Sequence, residues 1–241
     1  MKMKHSLLYG INLIVFFFVC TINVQAQGET ADKKTKDSTS VKLKYGLRVG
    51  ADISKLVRTA IDDDYKGFEI VADFRIKKRL YIAGEIGTEE KNTITDYMNI
   101  SSQGSYLKAG VDYNMYENWL DMDNMIYFGF RAGASTFSHD LNSATVYATN
   151  QYWAPQLTLQ ETKEFNGLLA FWGEIQLGLK AEVLTNLYIG VNLQLRFLAS
   201  ETAVDNFENV YIPGFGKTYD SSRIGAGYGF IVSYRVPFFK K

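Results

Sequence analysis

Three short stretches carry residue types that could do chemistry. Ser138-His139-Asp140 sets a hydroxyl, an imidazole and a carboxylate side by side, the groups that activate a nucleophile and orient its base. In an extended strand, though, neighbouring side chains point to opposite faces, so the three cannot converge on one substrate without a bulge. His139 alone, oriented by a distant acid, would suit a lipid-modifying enzyme; the competing reading is a polar cluster at a strand end. Asp62-Asp63-Asp64 offers oxygens to a hard cation such as Ca²⁺. The spaced ligand pattern is missing, however, and Tyr65-Lys66-Gly67 follows as a strand entry, which favours a solvated turn. Gly214-Phe215-Gly216-Lys217 is too short for a phosphate loop and has no strand-to-helix context. No cofactor is expected from any of them.

A larger set of ionisable groups recurs at alternate positions. The cations are Lys44, Arg48, Arg75, Lys108, Arg131, Lys180, Arg196 and Arg235; the anions are Asp52, Glu69, Asp73, Glu85, Asp112, Glu174 and Glu182. The elements that must position them are eight runs of period-two alternation, at 43–53, 68–76, 80–87, 107–115, 126–135, 171–183, 187–197 and 224–236. In the clearest run, Phe171, Gly173, Ile175, Leu177, Leu179, Ala181 and Val183 oppose Trp172, Glu174, Gln176, Gly178, Lys180 and Glu182. None of the eight apolar faces holds a charge, whereas a charge at mid-bilayer on a lipid face costs about 2–4 kcal/mol. The opposite faces mix nearly balanced charge with glycine and with Tyr81, Tyr127, Trp172 and Tyr188, which suits the inside of a narrow barrel.

The connections alternate too. Short turns occupy 77–79 and 184–186, about nine residues join the fourth and fifth runs, and the remaining connections are long, roughly 55–66, 88–103, 139–167 and 198–223. Two of the three prolines lie in long loops and Pro237 sits at the end of the last run, so no ladder is interrupted. The predicted fold is therefore all-β: an eight-stranded antiparallel transmembrane β-barrel, residues 43–241, with short periplasmic turns and long outer loops. Tyr45, Phe74, Tyr113 and Phe238 would girdle the periplasmic end, and Phe68, Phe171 and Phe197 the outer end.

The N-terminus agrees with that compartment. Lys2 and Lys4 precede an apolar run from Leu7 to Cys20, and Val24-Gln25-Ala26 supplies small or short residues for cleavage, the pattern of a signal peptide over residues 1–26. Val19 before Cys20 argues against a lipoprotein anchor. Its removal takes the basic count from 26 to 24 against 26 acidic side chains. That near-neutral balance gives no ground for nucleic acid as a partner. The mature chain would have no cysteine and one histidine, His139, which excludes a disulfide framework and a multi-histidine metal site. Residues 27–42 read as a flexible periplasmic leader.

The runs Lys44-Tyr45-Gly46-Leu47-Arg48-Val49-Gly50 and Asp63-Asp64-Tyr65-Lys66-Gly67-Phe68-Glu69 resemble a Bacteroidota family of outer-membrane proteins whose domain has no assigned function. So do Gly110-Val111-Asp112-Tyr113-Asn114-Met115-Tyr116 and Tyr211-Ile212-Pro213-Gly214-Phe215. The resemblance spans most of the mature chain and implies the compartment and the barrel; it carries no catalytic or ligand residues. In shape alone the chain is similar to OmpA- and OmpX-type barrels.

For the lumen charges two readings stand, an ion path and a structural plug. An eight-stranded interior is just wide enough for side chains, which favours the plug, with Arg48, Arg131 and Arg196 paired to carboxylates such as Asp73 and Glu174. The third and fourth outer loops hold Tyr147, Tyr152, Trp153, Phe165, Phe207, Val210, Tyr211, Ile212, Phe215 and Tyr219. So much apolar area marks either a partner-binding surface or an ordered cap. The expectation is a non-enzymatic barrel with its termini in the periplasm. It would touch outer-membrane lipid and dock through Tyr152, Trp153, Phe207, Tyr211, Ile212, Phe215 and Tyr219 onto other outer-membrane proteins or lipoproteins, in a complex that assembles or exports surface proteins. A lipid-modifying enzyme using His139, or a small diffusion channel, is the alternative.

Overall fold

A sheet of eight alternating strands keeps lipid on one side and charges on the other only by closing on itself. The computed structural model shows that closure. It describes residues 44–116, 123–146, 157–159, 162–204, 208–219 and 222–240, all within the second of two units, Met1–Ser40 and Val41–Lys241. The expected signal peptide and leader, and Tyr147, Tyr152, Trp153 and Phe207, lie outside the described residues.

The elements are β1 (Lys44–Asp52), α1 (Ile53–Ile61), β2 (Tyr65–Arg75), β3 (Leu80–Ile94), β4 (Met98–Asn114), β5 (Met125–Val146), β6 (Leu157–Leu159), β7 (Lys163–Leu184), β8 (Leu187–Glu201), β9 (Tyr211–Ile212), β10 (Gly216–Lys217) and β11 (Ile224–Lys240). The wall runs β1-β2-β3-β4-β5-β7-β8-β11 and back to β1. Each pairing in it is antiparallel. The strand β6 pairs with the top of β5, and β9 with β10 makes a separate small hairpin. Between β7 and β8 the turn is only Thr185-Asn186, with Asn186 at φ 67°, a backbone region that asparagine tolerates and that matches the twist of a tight hairpin.

The outward face is a belt of Val49, Phe68, Ile82, Ile86, Leu107, Phe128, Phe130, Leu177, Val191, Leu193, Phe230 and Val232, all exposed. A patch of that extent is far larger than water-facing surfaces carry; hydrocarbon is its solvent. At the short-turn end Phe74 and Phe238 lie with ring centroids 6.4 Å apart, on the side where a girdle was expected. At the other end the belt stops where Lys66 meets Glu90 across β2 and β3 at 3.3 Å, both exposed.

All four of the expected long loops contain regular structure, the last of them the end of β8 with β9 and β10. Residues 88–103 and much of 139–167 continue β3, β4, β5 and β7 past the belt, so that β5 and β7 each reach 22 residues. Their outward positions there are Glu90, Asn92, Gln103, Ser105 and Ser138. The apolar half of the alternation is gone although the ladder is not, and the strands read as loops for that reason. Residues 53–61 form a helix. Asp52 caps it by accepting from Ser54 N at 2.9 Å, and Ile53, Leu56, Val57, Ala60 and Ile61 fall at helical, not strand, spacing.

Candidate functional site

Inside the belt the walls supply successive layers of ion pairs. Near the short-turn end Arg75 reaches Asp123 at 2.6 Å, and Arg235 binds Asp123 as well as Glu182 at 3.2 Å. One layer up, Asp73 accepts from Arg48 at 2.6 Å and Lys180 at 2.7 Å. Asp112 is 2.7 Å from Arg131 and 3.5 Å from Lys180. Glu85 takes Arg131 at 3.2 Å together with Lys108. Above these, Lys108 is 3.3 Å from Glu69, and Arg196 is 3.2 Å from Glu174. Aromatic rings fill the remaining width: Arg48 lies 4.9 Å from the Tyr81 centroid and 5.0 Å from that of Tyr188, and Lys180 4.8 Å from that of Tyr127. Tyr127 and Trp172 are paired in register with Gly178 and Gly133, and each ring lies where the glycine's Cβ would be. The expected lumen residues thus share one interior. Asp52 alone is used differently, as the helix cap and as acceptor for Phe230 N at 3.1 Å; of Lys44 only the backbone is described.

Above the belt the polarity of the two faces exchanges. The inward side chains become Tyr106, Phe137, Leu168, Ala170, Trp172 and Leu198, which pack around Ile212 and Phe215. The segment carrying β9 and β10 folds down into this collar, and Gly214, at φ 82°, packs against the Tyr106 ring. Tyr211, Ile212 and Phe215 are therefore buried. They stand inside the mouth as a cap and offer no face to a partner, which corrects the expectation for these three; Tyr219 stays exposed. The physical reason is the collar's own apolar lining, which rings from the last loop can fill.

The cap is held by Glu89. This buried carboxylate accepts from Tyr211 Oη at 2.7 Å, Gly214 N at 3.0 Å and Tyr65 Oη at 3.2 Å, and it pairs with Lys55 of α1. Burial alone would raise its pKa; Lys55 and these donors outweigh that and hold it at about 2. His139 lies in the same collar, fully buried, its Nε2 3.0 Å from Asn209 Oδ1 and its ring against Phe137. Burial keeps its pKa below the ordinary value. Ser138 and Asp140, half-buried, flank it in the strand and pair in register with Gln103 and Ser101 of β4. The three do not assemble into a relay. Asp62 spends its carboxylate on Arg58 and Lys91, at 3.3 and 3.2 Å, and among the described residues no carboxylate, His or Cys group is arranged to hold a metal.

Lys55, Glu89 and Asp123 belong to the interior but were not among the expected residues. Glu89 continues the inward parity of Tyr81, Ala83, Glu85 and Gly87 by one step, a signal hidden by placing it in a loop. Lys55 requires the helix to be seen first. Asp123 sits in a connection and has no periodicity to reveal it.

Among curated proteins nothing matches the chain. Among solved structures it is similar to Ail, the attachment invasion locus protein of Yersinia pestis, at 7% identity and a TM-score of 0.39, covering 80% of this chain and 97% of that one. It is likewise similar to Neisserial surface protein A (NspA), at 10% identity and a TM-score of 0.39, covering 83% and 98%. Residues 7–241 match the family described as Domain of unknown function (DUF6048), and the chain belongs to that family.

Proposed function

We propose that the chain is a non-enzymatic barrel of the outer membrane, with its termini on the periplasmic side. It would serve as an accessory subunit of a larger envelope complex that assembles or exports surface proteins. The filled interior of the belt carries this reading. The ion-pair layers and the inserted cap fill the lumen, and the histidine is enclosed in the collar. Open to other molecules are the lipid belt, the outside of the collar and a cavity beside α1. The outside of the collar is a projection of paired strands, and its β3–β4 tip exposes Ile94 and Tyr97. Exposed apolar side chains held on a paired hairpin suit a docking contact.

The test uses the intact chain tagged in residues 27–42, isolated in mild detergent, with co-purifying proteins identified by mass spectrometry. A stoichiometric set of envelope proteins is expected, and replacing residues 93–100 by a short Gly/Ser turn should release them while the barrel stays folded. A barrel that purifies alone, or one whose partners persist after the tip is removed, overturns the proposal.

A further inference from the structure

The wall has a seam. The strand β1 ends at Asp52, while β2 and β11 continue past it to Tyr65 and Ile224, and no strand lies between them there. The helix α1 stands in that place. Thr59 Oγ1 meets both edge groups of Gly67 on β2, accepting from its N at 2.9 Å and donating to its O at 3.2 Å. On the other side Phe230 N–H donates to Asp52 Oδ1 at 3.1 Å. Backbone groups two residues apart point the same way along a strand, so the N–H groups of Tyr228 and Ala226 also face the seam.

Between α1 and this edge lies a cavity of about 470 Å³ lined by Arg58, Lys91, Lys217, Lys55 and Arg196, five cations, with Asp64 and Glu89 as the only carboxylates of the lining. That is ligand-sized. Lys55 and Arg196 already serve Glu89 and Glu174, whereas Arg58 and Lys91 share the single carboxylate Asp62, which lies outside the lining. Lys217 rests over the Tyr219 ring, 5.1 Å from its centroid. The cavity sits level with the Lys66–Glu90 pair that ends the belt. Leu56, Val57 and Ile61 of α1, with Tyr228 and Phe230 of β11, are exposed around it and continue the belt's apolar surface to its edge. Cationic side chains and free backbone donors at headgroup depth, over an apolar track, are what a phosphorylated amphiphile requires.

We propose that this cavity binds the phosphate headgroup of a lipid from the adjacent leaflet, which enters through the seam between α1 and β11 with its acyl chains lying against α1 and Tyr228. The site needs the barrel in a membrane but not the docking role, and its readout is lipid, not protein.

The experiment reconstitutes the full chain in nanodiscs containing a small fraction of anionic phospholipid in zwitterionic lipid. After transfer to a non-ionic detergent, retained lipid is counted by native mass spectrometry. Wild type should keep about one phosphorylated lipid per barrel. Arg58→Gln combined with Lys217→Gln should weaken retention by about tenfold. Lys217→Gln alone, in the exposed end of the β9–β10 hairpin and not in a wall strand, should lower it by a smaller factor without touching the fold. A ³¹P titration with inorganic phosphate separates the sources, and its binding should be much weaker than that of the lipid. Absence of retained phospholipid in wild type, retention unchanged in both variants, or inorganic phosphate binding as tightly as lipid would each overturn the assignment.

Discussion

The belt is a ring of eight strands, and the strands that continue past it into the collar carry the opposite polarity. In the belt the outward side chains are Leu193, Phe130 and Ile86 and the inward ones Asn192, Arg131 and Glu85; in the collar the outward ones are Gln103 and Glu90 and the inward ones Tyr106, Phe137 and Trp172. The ladder does not notice the change, because backbone hydrogen bonds are satisfied either way. What changes is the medium outside. Lipid tolerates no charge, so charges turn inward and neutralise one another; water rewards none of the rings, so they turn inward and pack. The position of the exchange, between the Lys108–Glu174–Arg196 layer and the Tyr106–Trp172–Leu198 layer, is then a physical marker of where the bilayer ends.

The hardest test of that contrast removes the centre of each interior. Trp172→Ala empties the middle of the collar core and should cost about 3–5 kcal/mol. Its effect should show as loss of protection against protease in the cap, residues 208–219, while the belt persists. Arg131→Ala leaves Asp112 and Glu85 short of a partner and should cost a similar amount, about 3–5 kcal/mol. Here the loss should appear in unfolding of the whole barrel in a urea titration. If both variants lost stability in the same cooperative step with the same pattern of protection, belt and collar would not be separate layers.

A smaller effect addresses the outer faces. Leu193→Lys, at mid-belt, should destabilise the membrane-inserted barrel by about 2–4 kcal/mol. Gln103→Lys on the collar should stay within about 0.5 kcal/mol of wild type. Equal costs would mean that the two positions see the same medium.

Smaller again is the seam. Asp52→Ala removes the helix cap and the acceptor for Phe230, and should cost about 1 kcal/mol. Faster hydrogen exchange in residues 53–61 with unchanged exchange in β5 is the expected signature. The last effect is one of pH. A carboxyl held at about 2 contributes stability that is complete above its ordinary value and is lost as pH falls toward 2. Between about pH 4.5 and 2, protonation of Glu89 should therefore loosen α1 and the cap together. Glu89→Gln should flatten the Glu89 part of that dependence, and a profile identical to wild type would remove Glu89 from its role.

Sequence reading reached furthest where lipid imposes a rule. Leu177, Leu193 and Phe230 alternate with charges because the bilayer accepts only one kind of side chain, and eight such runs with two short turns were enough for the number of strands and the ring. It reached least where water replaced lipid. There Gln103 and Ser105 look like loop residues, although they sit in β4, and the inward rings of the collar have no alternating partner to reveal them. The apolar residues of the last outer loop suggest a docking face turned outward. Only the collar's lining showed that Tyr211, Ile212 and Phe215 turn inward while Tyr219 does not.

The sequence by itself determined the alternation, the absence of charge from every lipid-facing run and the near balance of charge inside, since these follow from the cost of each residue type in its medium. Which carboxylate meets which cation, that Asp52 ends β1 as a helix cap, and that Glu89 ties Lys55 to the cap were decided by tertiary structure alone. Ion pairing is long-range and non-periodic: Asp73 and Lys180, 107 positions apart, meet only because the ring closes with that register.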